Sequence, residues 1–211
     1  MERKVILNND KFLDTFEKNL SLFTGAKYVV LTDRCTNAIF LSLWYYMKYR
    51  DVQIKEISIP ARTYQSIPMT LKNLLGLDIV FTDEKWVGEY KVFKNIYDCA
   101  VNFSRAMYKP GTVQCISFQQ KKALPIGKGG AILLDDKNMY ETLKRLSYDG
   151  RGRYLSDREE IQNDPERVLC GFHMNMSPDE AAKGILLLNQ FQPKLPGTWE
   201  DYEDLRQLKC F

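Results

Sequence analysis

The sequence predicts an α/β fold, a three-layer αβα domain with a mostly parallel sheet. Short apolar segments with the length of buried strands alternate with amphipathic segments of helical spacing through the first two-thirds of the chain. This alternation favours parallel strands, because parallel neighbours need a connection long enough to hold a helix. The 211 residues, 45% of them hydrophobic, can close a core of this size without disulfide bonds.

The individual elements follow from apolar spacing and from residues that begin or end helices. The predicted strands are short aliphatic and aromatic runs at residues 28–31, 57–59, 79–81, 96–97, 113–118 and 131–134. The predicted helices begin at Asp10, Thr36, Thr63, Asp136, Ser177 and Trp199. Of these helix starts, Ser177 has the most complete pattern, because a proline follows it and Glu180 completes a capping box.

Two segments interrupt this pattern. Residues 149–170 are charged and contain glycine, and we expect a mobile loop there. Residues 193–197 contain two prolines and a glycine, and a weakly amphipathic segment follows them. The sequence therefore predicts a large domain over residues 1–192 and a short C-terminal helical tail over residues 193–211.

The composition excludes several classes of protein. Thirty basic and 27 acidic residues give a net charge of +3 without a long block of one sign. Binding to nucleic acid or to a membrane surface therefore has no support. No apolar run approaches the roughly 18 residues of a transmembrane helix, and the start MERKVILNND lacks the apolar stretch of a signal peptide. We therefore expect a cytoplasmic protein.

Cysteine and histidine usage narrows the chemistry further. The five cysteines are odd in number, widely spaced and form no CxxC pair, so neither a disulfide framework nor a zinc site is expected. The single histidine excludes a multi-histidine metal site. Chemistry must therefore rest on lysine, aspartate, serine or tyrosine side chains, or on a bound organic cofactor.

Polar residues follow several of the predicted strands, at the edge where ligands gather in open α/β sheets. They are Thr36, Asn37, Tyr64, Asp98, Ser117, Lys121 and Lys122. Each of them alone is equally well explained as a cap, a turn or a solvated lysine. Together they offer a helix N-terminus for a phosphate, an aromatic ring for stacking, a carboxylate for a ring nitrogen and an amine for an imine. A pyridoxal 5'-phosphate (PLP) site needs these parts, although their chemistry alone does not select PLP.

The selection comes from a resemblance to the DegT-type sugar aminotransferases, which are fold-type I PLP-dependent enzymes. Similar segments occur in family order across roughly residues 15–192. They are FEKNLSLFTGAKYVVLTDRCTNAIFLSL, ISIPARTYQSIPMTLKNLLGLDIVFTD, IYDCA, SFQQKKALPIGKGGAILLDD and GFHMNMSPDEAAKGILLLNQF. The fourth segment is the most specific, because it matches the family pattern S-F-x-x-x-K-x-x-x-x-G-x-G-G without a gap.

The resemblance assigns roles to the polar residues. Lys122, and not Lys121, would be the Schiff-base lysine, and Asp98 would pair with the pyridinium nitrogen. Tyr64 would stack on the cofactor. The phosphate ligands would be Thr36, Asn37, Ser117 and, from the partner subunit, His173. The last assignment implies a homodimer with shared active sites.

The chain also departs from the family pattern. Cys35 replaces a glycine, Lys128 a glutamate, His173 an asparagine and Asn175 a basic residue, and Val101 stands where a polar residue usually flanks the ring. Only 15 positions separate residue 83 from residue 98, where members usually insert a further strand and helix. The resemblance therefore implies a shortened variant, with a transferase-like large domain and a small domain that is largely missing.

In function, the resemblance implies a PLP-dependent aminotransferase that acts on a keto-sugar nucleotide, with an amino acid, expected to be glutamate, as donor. Lys122 would release the cofactor to the donor amine and then act as the general base in the proton shift. Two other hypotheses stay open. One is a catalytically reduced remnant that binds PLP or a sugar nucleotide as a binding or assembly subunit. The other is an α/β binding domain without PLP.

Overall fold

The computed structural model describes residues 10–153, 166 and 168–211. The helices of this part are α1 (Asp10–Thr24), α2 (Cys35–Tyr49), α3 (Ser66–Leu75), α4 (Lys137–Leu146) and α5 (Pro178–Asn189). Its strands are β1 (Tyr28–Thr32), β2 (Glu56–Pro60), β3 (Asp78–Thr82), β4 (Tyr90–Phe93), β5 (Ile96–Asp98), β6 (Val113–Ser117) and β7 (Gly130–Leu134). None of these helices is both long and apolar enough to cross a bilayer.

The helix ends form where the local sequence predicts them. The Ser177 hydroxyl accepts a hydrogen bond from the backbone of Glu180, whose carboxylate accepts one from the backbone of Ser177, so the predicted capping box begins α5. The Asp136 side chain caps α4 by accepting a hydrogen bond from the backbone N–H of Met139. Gly76 ends α3 with φ of 66°, a left-handed conformation that glycine adopts without steric cost.

The five-stranded sheet separates two apolar clusters, as the period of two along its strands requires. On one face, alternate residues such as Val30 and Ile132 pack with α2 and α4. On the other face, Leu31 and Leu133 pack with α1 and α5. The predicted α/β fold with three layers is therefore confirmed.

The strand directions correct the expectation of a mostly parallel sheet. The order is β1-β7-β6-β5-β4, and β5 with β6 is the one parallel pair in this sheet among the described residues. Strands β4 and β7 each run antiparallel to their neighbours. For β4 the physical reason is that only residues 94 and 95 separate it from β5, too few for the crossover connection that a parallel pair needs. The sheet is mixed, and β1, β5 and β6 share one direction.

Strands β2 and β3 form a separate parallel pair. Pro60 ends β2 opposite Thr82, one residue beyond the predicted strand at residues 57–59. The sequence prediction also missed β4, which lies at the edge of the larger sheet and contacts β2. Strand β4 lies within the segment where the chain is shorter than the DegT-type pattern.

The C-terminal segment differs from the predicted helix over 199–208. It contains two short 3₁₀ turns, Trp199–Asp201 and Leu205–Gln207, each begun by a capping side chain. Its backbone bonds back to the domain, where the Trp199 N–H donates to the carbonyl of Trp86. The domain boundary at residue 192 stays a prediction. Of the predicted mobile loop at 149–170, residues 154–165 and 167 lie outside the described residues.

The packing of α1 against α5 yields a stability prediction at Gly184. A Cβ at this position would lie 2.5 Å from the Phe16 ring and 2.8 Å from Ile126. We expect Gly184→Ala to lower the free energy of unfolding by up to about 2 kcal/mol, because overpacking costs about 1–3 kcal/mol and the gain in helix propensity offsets ~1 kcal/mol of it. Urea unfolding would measure the change.

The matched control is Leu186→Ala in the same helix, because the Leu186 side chain is exposed. It should change the free energy of unfolding by no more than about 0.5 kcal/mol. A Gly184→Ala variant more stable than the parent would contradict the close helix contact.

Candidate active site

A cavity of about 660 Å³ opens at one edge of the five-stranded sheet. Because β1, β5 and β6 share one direction, their carboxyl ends meet at this edge, where ligands bind in open α/β folds. Six side chains matter for its chemistry: Thr36, Tyr64, Asp98, Ser117, Lys122 and Tyr202. Five of the seven predicted site residues therefore line one cavity.

Asp98 lies at the end of β5, with 5% of its surface exposed. Its Oδ1 atom accepts a hydrogen bond of 2.8 Å from the backbone of Ala100, and Oδ2 accepts one of 3.0 Å from the Tyr90 hydroxyl. The Thr63 hydroxyl is 2.7 Å from the same Tyr90 hydroxyl. Burial raises the pKa of Asp98, while the two hydrogen bonds and the charge of Lys122 act in the opposite direction. The carboxylate is thus fixed in orientation by two neutral donors.

Lys122 lies in the turn that follows β6. Its backbone N–H donates to the Gln119 carbonyl at 2.8 Å, and its Nζ atom lies 3.4 Å from the hydroxyl of Tyr202. Lys122 and Asp98 both line the cavity, where burial raises the pKa of Asp98 and the charge of Lys122 offsets a part of that rise. Lys121 also lines the cavity, and its side chain is exposed.

The start of α2 forms the end of the site that is suited to bind an anion. Arg34 precedes the helix and makes no side-chain capping bond, so the N–H groups of the first turn are open to a ligand. The hydroxyls of Thr36 and Ser66 lie 2.6 Å apart, and Ser117 ends the neighbouring β6. A phosphate at this point would meet backbone N–H groups and hydroxyl groups together.

Gly130 allows these elements to come together. It begins β7 and pairs with Thr32 on one side and Ser117 on the other. A Cβ at Gly130 would lie 2.4 Å from the backbone nitrogen of Cys35. The glycine therefore permits the start of α2 to approach the sheet, a contact that any side chain would prevent. Cys35 itself is buried and its Sγ contacts the carbonyl of Cys115 at 3.4 Å.

Three predicted residues stand apart from the centre. Tyr64 lies at the rim, with 52% of its surface exposed. The Asn37 amide donates to the Asp33 carboxylate at 2.6 Å and does not line the cavity. His173 also lies outside the cavity lining, with its side chain 81% exposed and its Nδ1 atom 3.1 Å from Asp149.

The sequence analysis missed two tyrosines of this site. Tyr90 lies on the unpredicted β4, and its hydroxyl reaches Asp98. Tyr202 comes from the C-terminal segment and reaches Lys122. Neither position had a motif, and the local indication for Tyr90 in the sequence is the polar Lys91 between the apolar side chains of Tyr90 and Val92, a spacing typical of a strand.

The donor set fits an aromatic cofactor with a phosphate. A buried carboxylate suits a protonated ring nitrogen, a primary amine faces it across the cavity, and a helix N-terminus with two nearby hydroxyls suits the phosphate. By contrast, no cluster of three or more metal-binding side chains occurs in the part of the chain that the structure describes.

Comparison with known proteins finds similarity to part of the chain in sequence and to most of it in fold. Residues 100–196 match the model of the DegT/DnrJ/EryC1/StrS aminotransferase family, a stretch that includes Ser117 and Lys122. A search of curated proteins gives no match to the sequence.

Solved structures extend the similarity in fold. AtS13 from Actinomadura melliaura has 18% sequence identity and a TM-score of 0.68, and the match covers 84% of this chain and 59% of that one. DesI, solved in the presence of its TDP-sugar product, has 18% identity and a TM-score of 0.62 over 86% of this chain and 53% of its own. The E. coli GDP-4-keto-6-deoxy-D-mannose-3-dehydratase with bound hydrated PLP has 15% identity and a TM-score of 0.62 over 85% of this chain and 60% of its own.

The chain therefore spans less than two-thirds of the length of these structures. Within that span, the fold is the one that they share. The resemblance predicted from the sequence is confirmed, since residues 100–196 match the DegT/DnrJ/EryC1/StrS aminotransferase family in sequence and most of the chain matches sugar aminotransferases in fold.

Proposed function

We propose that the chain binds PLP in this cavity and acts as an aminotransferase on a keto-sugar nucleotide, with glutamate as the amino donor. The observation that supports this most strongly is the pair of Asp98 and Lys122, which face one cavity at the edge where α2 begins. A TDP-sugar product in DesI and hydrated PLP in the E. coli dehydratase support the classes of substrate and cofactor.

In this proposal, five side chains hold the cofactor. Asp98 holds the proton on the ring nitrogen, Tyr64 covers a face of the ring, and Thr36 and Ser117 bind the phosphate with the first turn of α2. Lys122 supplies the primary amine. When bound, PLP withdraws electrons from the substrate carbon next to the transferred amine.

The side chains of the chain then perform the remaining steps. The ionised Asp98, oriented by Tyr90 and the Ala100 N–H, keeps the ring nitrogen protonated. Lys122 Nζ would accept the proton from the substrate carbon that bears the transferred amine and give it back in a 1,3-shift, which requires the amine in its neutral form. Burial of Asp98 keeps water from competing for its charge.

A homodimer with shared active sites is part of the proposal. His173 is exposed and stands outside the cavity of its own chain, and in this proposal its Nε2 atom contacts the phosphate in a partner's cavity while Nδ1 stays beside Asp149. Imidazole can donate the hydrogen bond that the family's asparagine would supply. Asn37 would take part in binding through its backbone N–H, because its side chain is held by Asp33.

The first prediction concerns the lysine. We expect the purified protein with added PLP to absorb near the visible edge, and Lys122→Ala to lose this absorbance, because the amine that bonds to the cofactor is gone. Borohydride reduction followed by peptide mapping should place the modification on Lys122. The matched control is Lys121→Ala, which removes a neighbouring exposed lysine and should keep the absorbance.

A protein that stays colourless with PLP would refute the proposal. Amino transfer is a separate measurement, with glutamate, PLP and a keto-sugar nucleotide, read by mass spectrometry of the amino sugar. Cofactor binding without transfer to any keto-sugar nucleotide would instead favour the alternative function, a binding or assembly subunit.

The second prediction concerns the pH dependence of stability without cofactor. In the unfolded chain, the Asp98 carboxyl ionises near its ordinary pKa of 3.8, and in the fold burial raises that pKa. The folded state therefore loses stability as the pH rises from the ordinary value through the raised one. Asp98→Asn avoids this loss. The free energy of unfolding of the variant minus that of the parent should therefore be larger at pH 8 than at pH 4.

Urea unfolding at both pH values would measure the difference. Asp51→Asn, which removes a carboxyl from an exposed position, serves as the control for loss of charge. A difference that is flat between the two pH values, or that falls as the pH rises, would mean that the carboxyl of Asp98 is not buried in solution.

A further inference from the structure

We propose that Tyr202 is a positioning residue for Lys122, and that its hydroxyl holds the Nζ atom in the cavity. The inference rests on the proposed function in one respect, the role of the Lys122 amine. It adds a group from outside the stretch that matches the family model, because that stretch ends at residue 196.

The C-terminal segment is fixed over the cavity by backbone hydrogen bonds at both ends. Before Tyr202, the Gly197 carbonyl accepts a bond of 2.7 Å from the Gly88 N–H. After it, the Leu205 N–H donates to the Ala61 carbonyl at 2.9 Å, and Leu205 is buried. A segment held on both sides of Tyr202 can present this side chain at a defined place.

Tyr202 itself is anchored through its backbone and its ring. The Arg62 guanidinium donates to its carbonyl at 2.8 Å. The ring packs on Trp86 with centroids 5.5 Å apart, and Trp86 packs on Tyr90 at 5.4 Å. Because the Tyr90 hydroxyl bonds Asp98, one row of aromatic rings connects the group at Lys122 to the carboxylate.

The contact between Lys122 and Tyr202 is suited to holding the amine. Their Nζ and hydroxyl oxygen are 3.4 Å apart, and Tyr202 is the hydrogen-bond partner of Nζ in the part of the chain that the structure describes. A phenol accepts a bond from an ammonium group and donates one to a neutral amine. It can therefore orient the lysine in both protonation states, and it adds no negative charge that would favour the ammonium form.

The surroundings keep the phenol protonated. Burial raises the pKa of Tyr202, and the nearby charges of Asp98 and Asp201 raise it further. A neutral hydroxyl therefore remains available as donor and acceptor at pH 8.

The test measures the chemical reactivity of Lys122 in the protein without added PLP. Trace labelling with acetic anhydride at pH 8, followed by chymotryptic digestion, would give a peptide over residues 119–133 that contains both Lys121 and Lys122, because Pro125 prevents cleavage after Leu124. We expect Tyr202→Phe to raise the labelling rate of Lys122 about fivefold, the factor that corresponds to ~1 kcal/mol for one lost hydrogen bond. Lys121 in the same peptide is the internal reference and should not change.

The Phe variant keeps the ring on Trp86, so the fold should be retained, and its thermal midpoint should confirm this. Tyr108→Phe is the matched control, because it removes a part-buried hydroxyl that bonds to the Thr112 carbonyl and does not line the cavity. It should leave the rate at Lys122 unchanged. An unchanged rate in Tyr202→Phe, or an equal rise at Lys121, would overturn the proposal.

The result can be separated from the proposed function. Altered Lys122 labelling in a protein that takes up no PLP would support the positioning role and refute PLP binding. Unaltered labelling in a protein that becomes coloured with PLP would do the reverse.

Discussion

Strand β7 runs antiparallel between β1 and β6, and the candidate site depends on this arrangement. By lying between them, β7 gives its two neighbours the same direction, so that the helix start after β1 and the lysine turn after β6 emerge at one edge. Strand β5 joins them as the parallel partner of β6 and brings Asp98 to the same edge. Gly130 begins β7 at the meeting point, and the absence of a side chain there lets α2 come close.

Burial of the Asp98 carboxylate costs hydration free energy that the rest of the fold must offset. A carboxylate buried at the end of β5 has lost most of its hydration, and the hydrogen bonds from Tyr90 and Ala100 restore only part of it. Both donors are neutral, so neither of them places a positive charge on the group. Neutral donors suit Asp98, which is proposed to pair with a cationic ring nitrogen, because a permanently charged side chain beside the carboxylate would compete with that nitrogen.

The C-terminal segment forms part of the cavity wall. In sequence it is a short tail, yet in the structure it bonds to segments near Ala61, Trp86 and Val101 and contributes Tyr202 and Leu205 to the cavity wall. Its 3₁₀ turns are too short to be stable alone, so their position comes from these backbone bonds and from the burial of Leu205. The segment is thus part of the candidate site as well as of the fold.

Much of the fold and of the site could be predicted from the sequence. Apolar spacing, the cap at Ser177 and the turn at Gly76 determined the main helices, because these signals act within one or two turns of chain. The resemblance to the DegT-type aminotransferases singled out Asp98 and Lys122, and the structure places both in the wall of one cavity. The direction of β4 and β7, the separate β2–β3 pair and the placement of Tyr90 and Tyr202 were decided only by the tertiary structure. They depend on contacts between residues distant in the chain, which no local pattern specifies.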